Sequence, residues 1–131
     1  MKKEAIRKVV VIEDDKVCGE IVKQELNRLA KVEVVLFSSA EECFSKMKQQ
    51  PELIILDFFL GTNGSQNMNG HEALNQIRTN NSDQKVLFIS TVSEIDLLEQ
   101  YKVYRSVDYI EKSCLGTGRM IEKVKCQLSA A

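Results

Sequence analysis

Five short apolar runs punctuate this chain, and each ends at or runs straight into polar residues: 8–12 (KVVVI), 32–37 (VEVVLF), 52–56 (ELIIL), 85–90 (KVLFIS) and 107–112 (VDYIEK). Runs this short and this rich in β-branched residues suit strands buried on both faces. Between them, apolar residues return at helical spacing. Val17, Ile21, Val22, Leu26 and Leu29 follow the first run, Ala73, Leu74 and Ile77 the third, and Met120, Ile121, Val124 and Leu128 the fifth. A serine cap opens a short second helix within 38–50, which Pro51 is expected to stop, and another opens a fourth helix over 93–104. Strict alternation of strand and helix builds parallel strands joined by right-handed crossovers. The expected fold is therefore α/β, a doubly wound open sheet covered on both faces. No break in composition divides the 131 residues, so a single domain over 1–131 is expected.

Charge and cysteine usage narrow the classes of function. A formal net charge of -1 gives no electrostatic footprint for nucleic acid or an anionic membrane. The N-terminal MKKEAIRK leads into no signal-peptide apolar region, and no apolar run reaches the length of a membrane span. A cytoplasmic protein is expected. Cys18, Cys43, Cys114 and Cys126 form no close pair, and His71 has no companion at metal-ligand spacing. These thiols read as small hydrophobes rather than ligands.

In open parallel sheets, functional groups gather beyond the carboxyl ends of the strands. The chain meets that demand. Glu13, Asp14 and Asp15 follow the first strand, Asp57 ends the third, Ser90 and Thr91 close the fourth, and Lys112 closes the fifth. Crowded carboxylates repel, and a hard divalent ion relieves the repulsion. Mg²⁺ takes one or two carboxylates and completes its octahedron with water or phosphate oxygens. A lysine and a hydroxyl beside it suit an anion, and a carboxylate nucleophile among them suits phosphoryl transfer to an aspartyl phosphate.

These residues, taken with VVVIEDDK at the first strand, PELIILD at the third, VLFIST at the fourth and DYIEK at the fifth, resemble a response-regulator receiver domain of two-component signalling. The resemblance covers nearly the whole chain. It implies a flavodoxin-like (βα)5 fold with strand order 2-1-3-4-5. It implies Asp57 as phosphoacceptor, with Mg²⁺ held by Glu13, Asp14, Asp57 and the backbone carbonyl of Phe59. Lys112, Ser90 and Thr91 would bind the phosphoryl oxygens, and Ser90 and Tyr109 would act as the switch pair for the fourth-helix face, 92–104. Asp15 matches no metal position and reads as the cap of the first helix. The implied partners are a sensor histidine kinase or phosphotransfer protein, and a downstream target or output domain. The resemblance also leaves open a homodimer through the fourth helix–fifth strand–fifth helix face. No direct nucleic-acid or membrane contact is expected, and no enzymatic turnover beyond self-phosphorylation and self-dephosphorylation. The chain reads as a stand-alone receiver or a piece of a larger regulator.

Three departures mark this chain within that family. The stretch 58–70 (FFLGTNGSQNMNG) is several residues longer than usual and lacks a proline. It is expected to be a mobile loop, either altering access to the site or simply tolerated, since loop length is cheap. Lys112 is followed by Ser113 rather than proline, and a cis bond there would cost ~2.5–4 kcal/mol, so a trans peptide or another loop path is expected. Phe59 and Val92 flank the phosphoryl site with apolar side chains, which would exclude attacking water. A degenerate receiver that binds a partner without phosphorylation is the alternative. A flavin-binding carrier of similar fold would present hydroxyls and amides where this chain presents acids. A hydrolase would need a second acid where Phe59 stands.

Overall fold

The computed structural model describes residues 5–60, 67–91, 99–104 and 106–129. Five strands form one sheet: β1 (Arg7–Ile12), β2 (Val32–Phe37), β3 (Leu53–Asp57), β4 (Val86–Ser90) and β5 (Val107–Glu111). All pairings are parallel, in the order β2-β1-β3-β4-β5. The helices are α1 (Lys16–Leu26), α2 (Ala40–Lys46), α3 (Gly70–Asn80) and α4 (Arg119–Ser129). This is the flavodoxin-like arrangement expected above. β3 and β4 are buried at every residue, which explains their unbroken apolar runs. Alternate strand residues feed two cores. Val10, Ile12, Ile54, Leu56, Val86 and Phe88 pack with α2 and α3, while Val9, Val11, Leu53, Ile55, Leu87 and Ile89 pack with α1 and α4. Among the described residues, no helix is long and apolar enough to cross a membrane.

Three expectations are corrected. The buried stripe of α1 is Cys18, Gly19, Val22, Glu25 and Leu26. Val17 and Ile21 fall to one side of it and are 71% and 39% exposed. The helix lies so close to β2 that a side chain at Gly19 would stand 3.1 Å from Leu36 Cδ1, so a missing side chain, not an apolar one, marks the contact. Helix α2 ends at Lys46, well before Pro51. Met47 is already extended, with φ -74° and ψ 117°, and packs against the core, while Pro51 sits buried at the entry to β3. Of the expected fourth helix, 92–98 lie outside the described residues, and Glu99–Val103 form a 3-10 helix.

Candidate functional site

The parallel register sets the carboxyl ends of β1, β3 and β4 side by side, pairing Ile12 with Leu56 and Asp57 with Ile89. Glu13, one residue past β1, is 3% exposed, and Asp57, the last residue of β3, is 2% exposed. Carboxylate oxygens of Glu13, Asp14 and Asp57 all lie within 4.8 Å of one another. Asp14 is the most exposed of the three. Asp15 takes no part in the cluster. As expected, it caps α1, its Oδ1 accepting from the N–H groups of Val17 and Cys18 at 2.9 and 3.2 Å.

Besides the neighbouring acids, each oxygen of Asp57 faces a donor. Oδ1 accepts the N–H of Phe59 at 3.1 Å, and Oδ2 stands 3.4 Å from Lys112 Nζ. That ammonium also lies 3.5 Å from Glu13 Oε1. Lys112 opens a one-turn 3-10 helix, Lys112–Cys114, directly after β5. Among the described residues no peptide bond is cis, so the Lys112–Ser113 bond is trans as expected. Burial works against the lysine's charge, but the Asp57 and Glu13 carboxylates outweigh it and raise its pKa.

Glu13 is the strained member of the group. Its Oε atoms are buried with no hydrogen-bond partner among the described residues. Burial first, and then the adjoining Asp57 carboxyl, push its pKa from 4.5 up to about 8. Cys18 packs beside it, and burial followed by Glu13 raises that thiol to about 12, so it stays protonated and inert. A buried carboxylate that accepts no hydrogen bond among the described residues, one of three converging acids, fits an oxygen-seeking divalent cation.

Ser90, at the end of β4, is fully buried, and its Oγ has no partner among the described residues. Thr91 follows it, half-buried. Tyr109 is half-buried against the α2–α3 core, its hydroxyl donating to Glu99 Oε1 at 3.4 Å. Phe59 is 42% exposed at the rim, with its ring edge-on to Phe58 at 6.1 Å. Val92 lies outside the described residues.

The long loop is fastened at both ends, which its sequence did not reveal. Leu60 is buried against the α2–α3 core, and the N–H of Met68 donates to Glu41 Oε2 on α2 at 2.7 Å. Asn69 caps α3 in a capping box with Glu72. Gly70 then passes beneath the end of β3, where a side chain would stand 2.6 Å from Phe58 O and 2.8 Å from Asp57 O. The expected mobility of the middle, 61–66, lies outside the described residues.

Residues 9–125 match the family model for the response regulator receiver domain. The transcriptional regulatory protein MalR of Bacillus subtilis (strain 168) is 28% identical over 106 residues, covering 79% of this chain and 43% of that protein. The probable C4-dicarboxylate response regulator DctR of Priestia megaterium is 30% identical over 106 residues, covering 79% of this chain and 44% of the relative. The chain thus spans less than half the length of either relative. Among solved structures, NtrX from Brucella abortus gives a TM-score of 0.82 at 22% identity, over 95% of this chain and 27% of NtrX. The isolated receiver domain of NtrX gives 0.74 at 21% identity, over 94% of this chain and 99% of that domain. At these identities the structural likeness speaks for the fold alone.

Proposed function

This chain belongs to the response regulator receiver domain family, and from that premise we propose that it accepts a phosphoryl group on Asp57 from a sensor histidine kinase or phosphotransfer protein. The observation that carries this reading is the meeting of three carboxylates within 4.8 Å beside the Lys112 ammonium, 3.4 Å from Asp57. The receiver unit is taken as residues 1–131.

The Phe59 N–H fixes Asp57 Oδ1, so Oδ2 is the attacking oxygen. It forms a new O–P bond as the N–P bond of the donor phosphohistidine breaks, and the imidazole leaves with the electron pair. Mg²⁺, held by Glu13, Asp14, Asp57 and the Phe59 carbonyl, would neutralise the carboxylates and the charge on the moving phosphoryl group. Lys112 moves from Asp57 to one phosphoryl oxygen, a charge-assisted bond in a poorly solvated site. The unpartnered Ser90 hydroxyl donates to another, and Thr91 supports the third. Drawing Ser90 inward opens the way for Tyr109 to follow, which shifts the 92–104 face between two pre-existing arrangements. That face would then meet a downstream target, an output domain or a second copy of the chain. The chemistry is confined to self-phosphorylation and self-dephosphorylation.

Beryllofluoride, a stable mimic of the acyl phosphate, tests the reading without a cognate kinase. The wild type is expected to bind it only with Mg²⁺ present, and Asp57→Asn not at all. Equal binding by Asp57→Asn, or none by the wild type, would leave a receiver that acts without phosphorylation.

A further inference from the structure

β5 is an edge strand, and its successive side chains point to opposite faces of the sheet. Asp108 pairs in register with Leu87, on the α1–α4 side. Tyr109 pairs with Phe88 and packs against the α2–α3 core on the other side. Lys123 belongs to α4, whose Met120 and Val124 are buried on the Asp108 side. Its Nζ nevertheless stands 5.5 Å from the centroid of the Tyr109 ring. The side chain therefore reaches over the open edge of β5 and touches both faces at once.

Two anchors fix that ammonium. It lies 3.2 Å from each carboxylate oxygen of Asp108. The ring distance falls within the ≈ 6 Å range over which an ammonium is attracted to an aromatic face. A cavity of about 170 Å³ beside it is lined by Tyr109, Ile110, Glu111, Cys114, Arg119 and Lys123. Arg119, the other cation there, is turned instead to Cys114 Sγ at 3.6 Å. Besides its packing against the α2–α3 core, the ring's hydroxyl makes a long bond to Glu99.

We propose that Lys123 is a positioning residue that holds the Tyr109 ring at the β5 edge and makes its inward turn conditional on α4. Asp108 keeps the ammonium in place, so the ring loses that attraction when it moves, and Lys123 cannot follow. The strap thereby biases the resting arrangement and links the Tyr109 rotamer to the last helix. This rests on the reading of Tyr109 as the switch ring.

The test uses the full chain with labelled tyrosine side chains, followed by NMR, in the wild type, Lys123→Gln and Lys123→Arg. Without beryllofluoride, the wild-type Tyr109 ring is expected to show contact with the Lys123 side chain and one ordered rotamer. Lys123→Gln should leave the ring averaging between rotamers, and Lys123→Arg should restore order, since a guanidinium supplies the same attraction. Beryllofluoride affinity should rise about two- to fivefold in Lys123→Gln and return with Lys123→Arg. An unchanged ring rotamer in Lys123→Gln overturns the strap, as does a freed ring with unchanged beryllofluoride affinity. A ring freed in Lys123→Gln while even the wild type fails to bind beryllofluoride upholds the hold on the ring. That outcome overturns the phosphoacceptor reading instead.

Discussion

The connections from β1 to α1 and from β3 to α3 both bring a carboxylate to the edge of the sheet and both close on a side-chain cap. One spans residues 13–15, the other 58–69. In the short connection each of the three residues is committed, Glu13 and Asp14 to the acid cluster and Asp15 to the helix cap. In the long one the constraints among the described residues sit at the two ends. Phe59 and Leu60 fix the departure from Asp57, while Met68, Asn69 and Gly70 fix the return. A loop anchored this way can lengthen in the middle at little thermodynamic cost, because closure entropy grows only slowly with length. The acid at its start stays in place all the same.

If both connections depend on their anchors, a methyl group should tell them apart. Gly70→Ala drives Cβ into backbone oxygens at 2.6 and 2.8 Å, which cannot turn aside, and should cost about 3 kcal/mol in chemical denaturation. In Gly19→Ala the contact is the flexible Leu36 side chain at 3.1 Å, and the gain in helix propensity opposes it. The net change there should lie within roughly 1 kcal/mol of zero. Equal losses would mean that the return of the long loop is no more constrained than the face of α1.

The acids themselves give the next largest effect. Glu13 has an ordinary pKa of 4.5 but titrates near 8 in the metal-free fold. Between those values the folded protein holds a proton that the unfolded chain has lost. Metal-free stability is therefore highest at the acid end of this window and falls as pH rises from 4.5 to 8. Mg²⁺ at a hundred times its Kd should restore about 2.7 kcal/mol at the alkaline end. At pH 5.5 the same Mg²⁺ concentration should restore clearly less, because the metal must then displace the Glu13 proton. Melting temperatures across pH, with chelator and with Mg²⁺, measure both.

The caps should give the smallest effect. Asp15→Ala and Asn69→Ala should each cost roughly 1 kcal/mol. Asp15→Ala should be the larger loss, since its Oδ1 accepts two backbone donors, whereas Asn69→Ala leaves the Glu72 half of the capping box in place.

The same contrast governs what could be read from the sequence. The strands, the acids that follow them and the Asp15 cap were readable because each depends on neighbours in the chain: a β-branched run, a carboxylate at its end, an acid before a helix. The convergence of Asp57, Glu13 and Lys112 followed once strand order was in hand. Val17 and Ile21 misled because periodicity counts apolar residues, whereas the buried stripe of α1 is set by Gly19 against Leu36. The early end of α2 followed from Met47 entering the core rather than from Pro51. Met68 on Glu41, His71 Nδ1 bonded to the Tyr101 hydroxyl, and Lys123 reaching Tyr109 join residues far apart in the chain, and no local pattern announces them.

On the proposed reading, Asp57 takes the phosphoryl group in a site completed by Mg²⁺. Incubation with Mg²⁺ and a small acyl-phosphate donor, followed by peptide-level mass spectrometry, tests it most directly. One acid-stable, base-labile adduct is expected, located on Asp57, abolished by chelator and absent in Asp57→Asn. An adduct on another residue, or one that forms equally with chelator present, would contradict it.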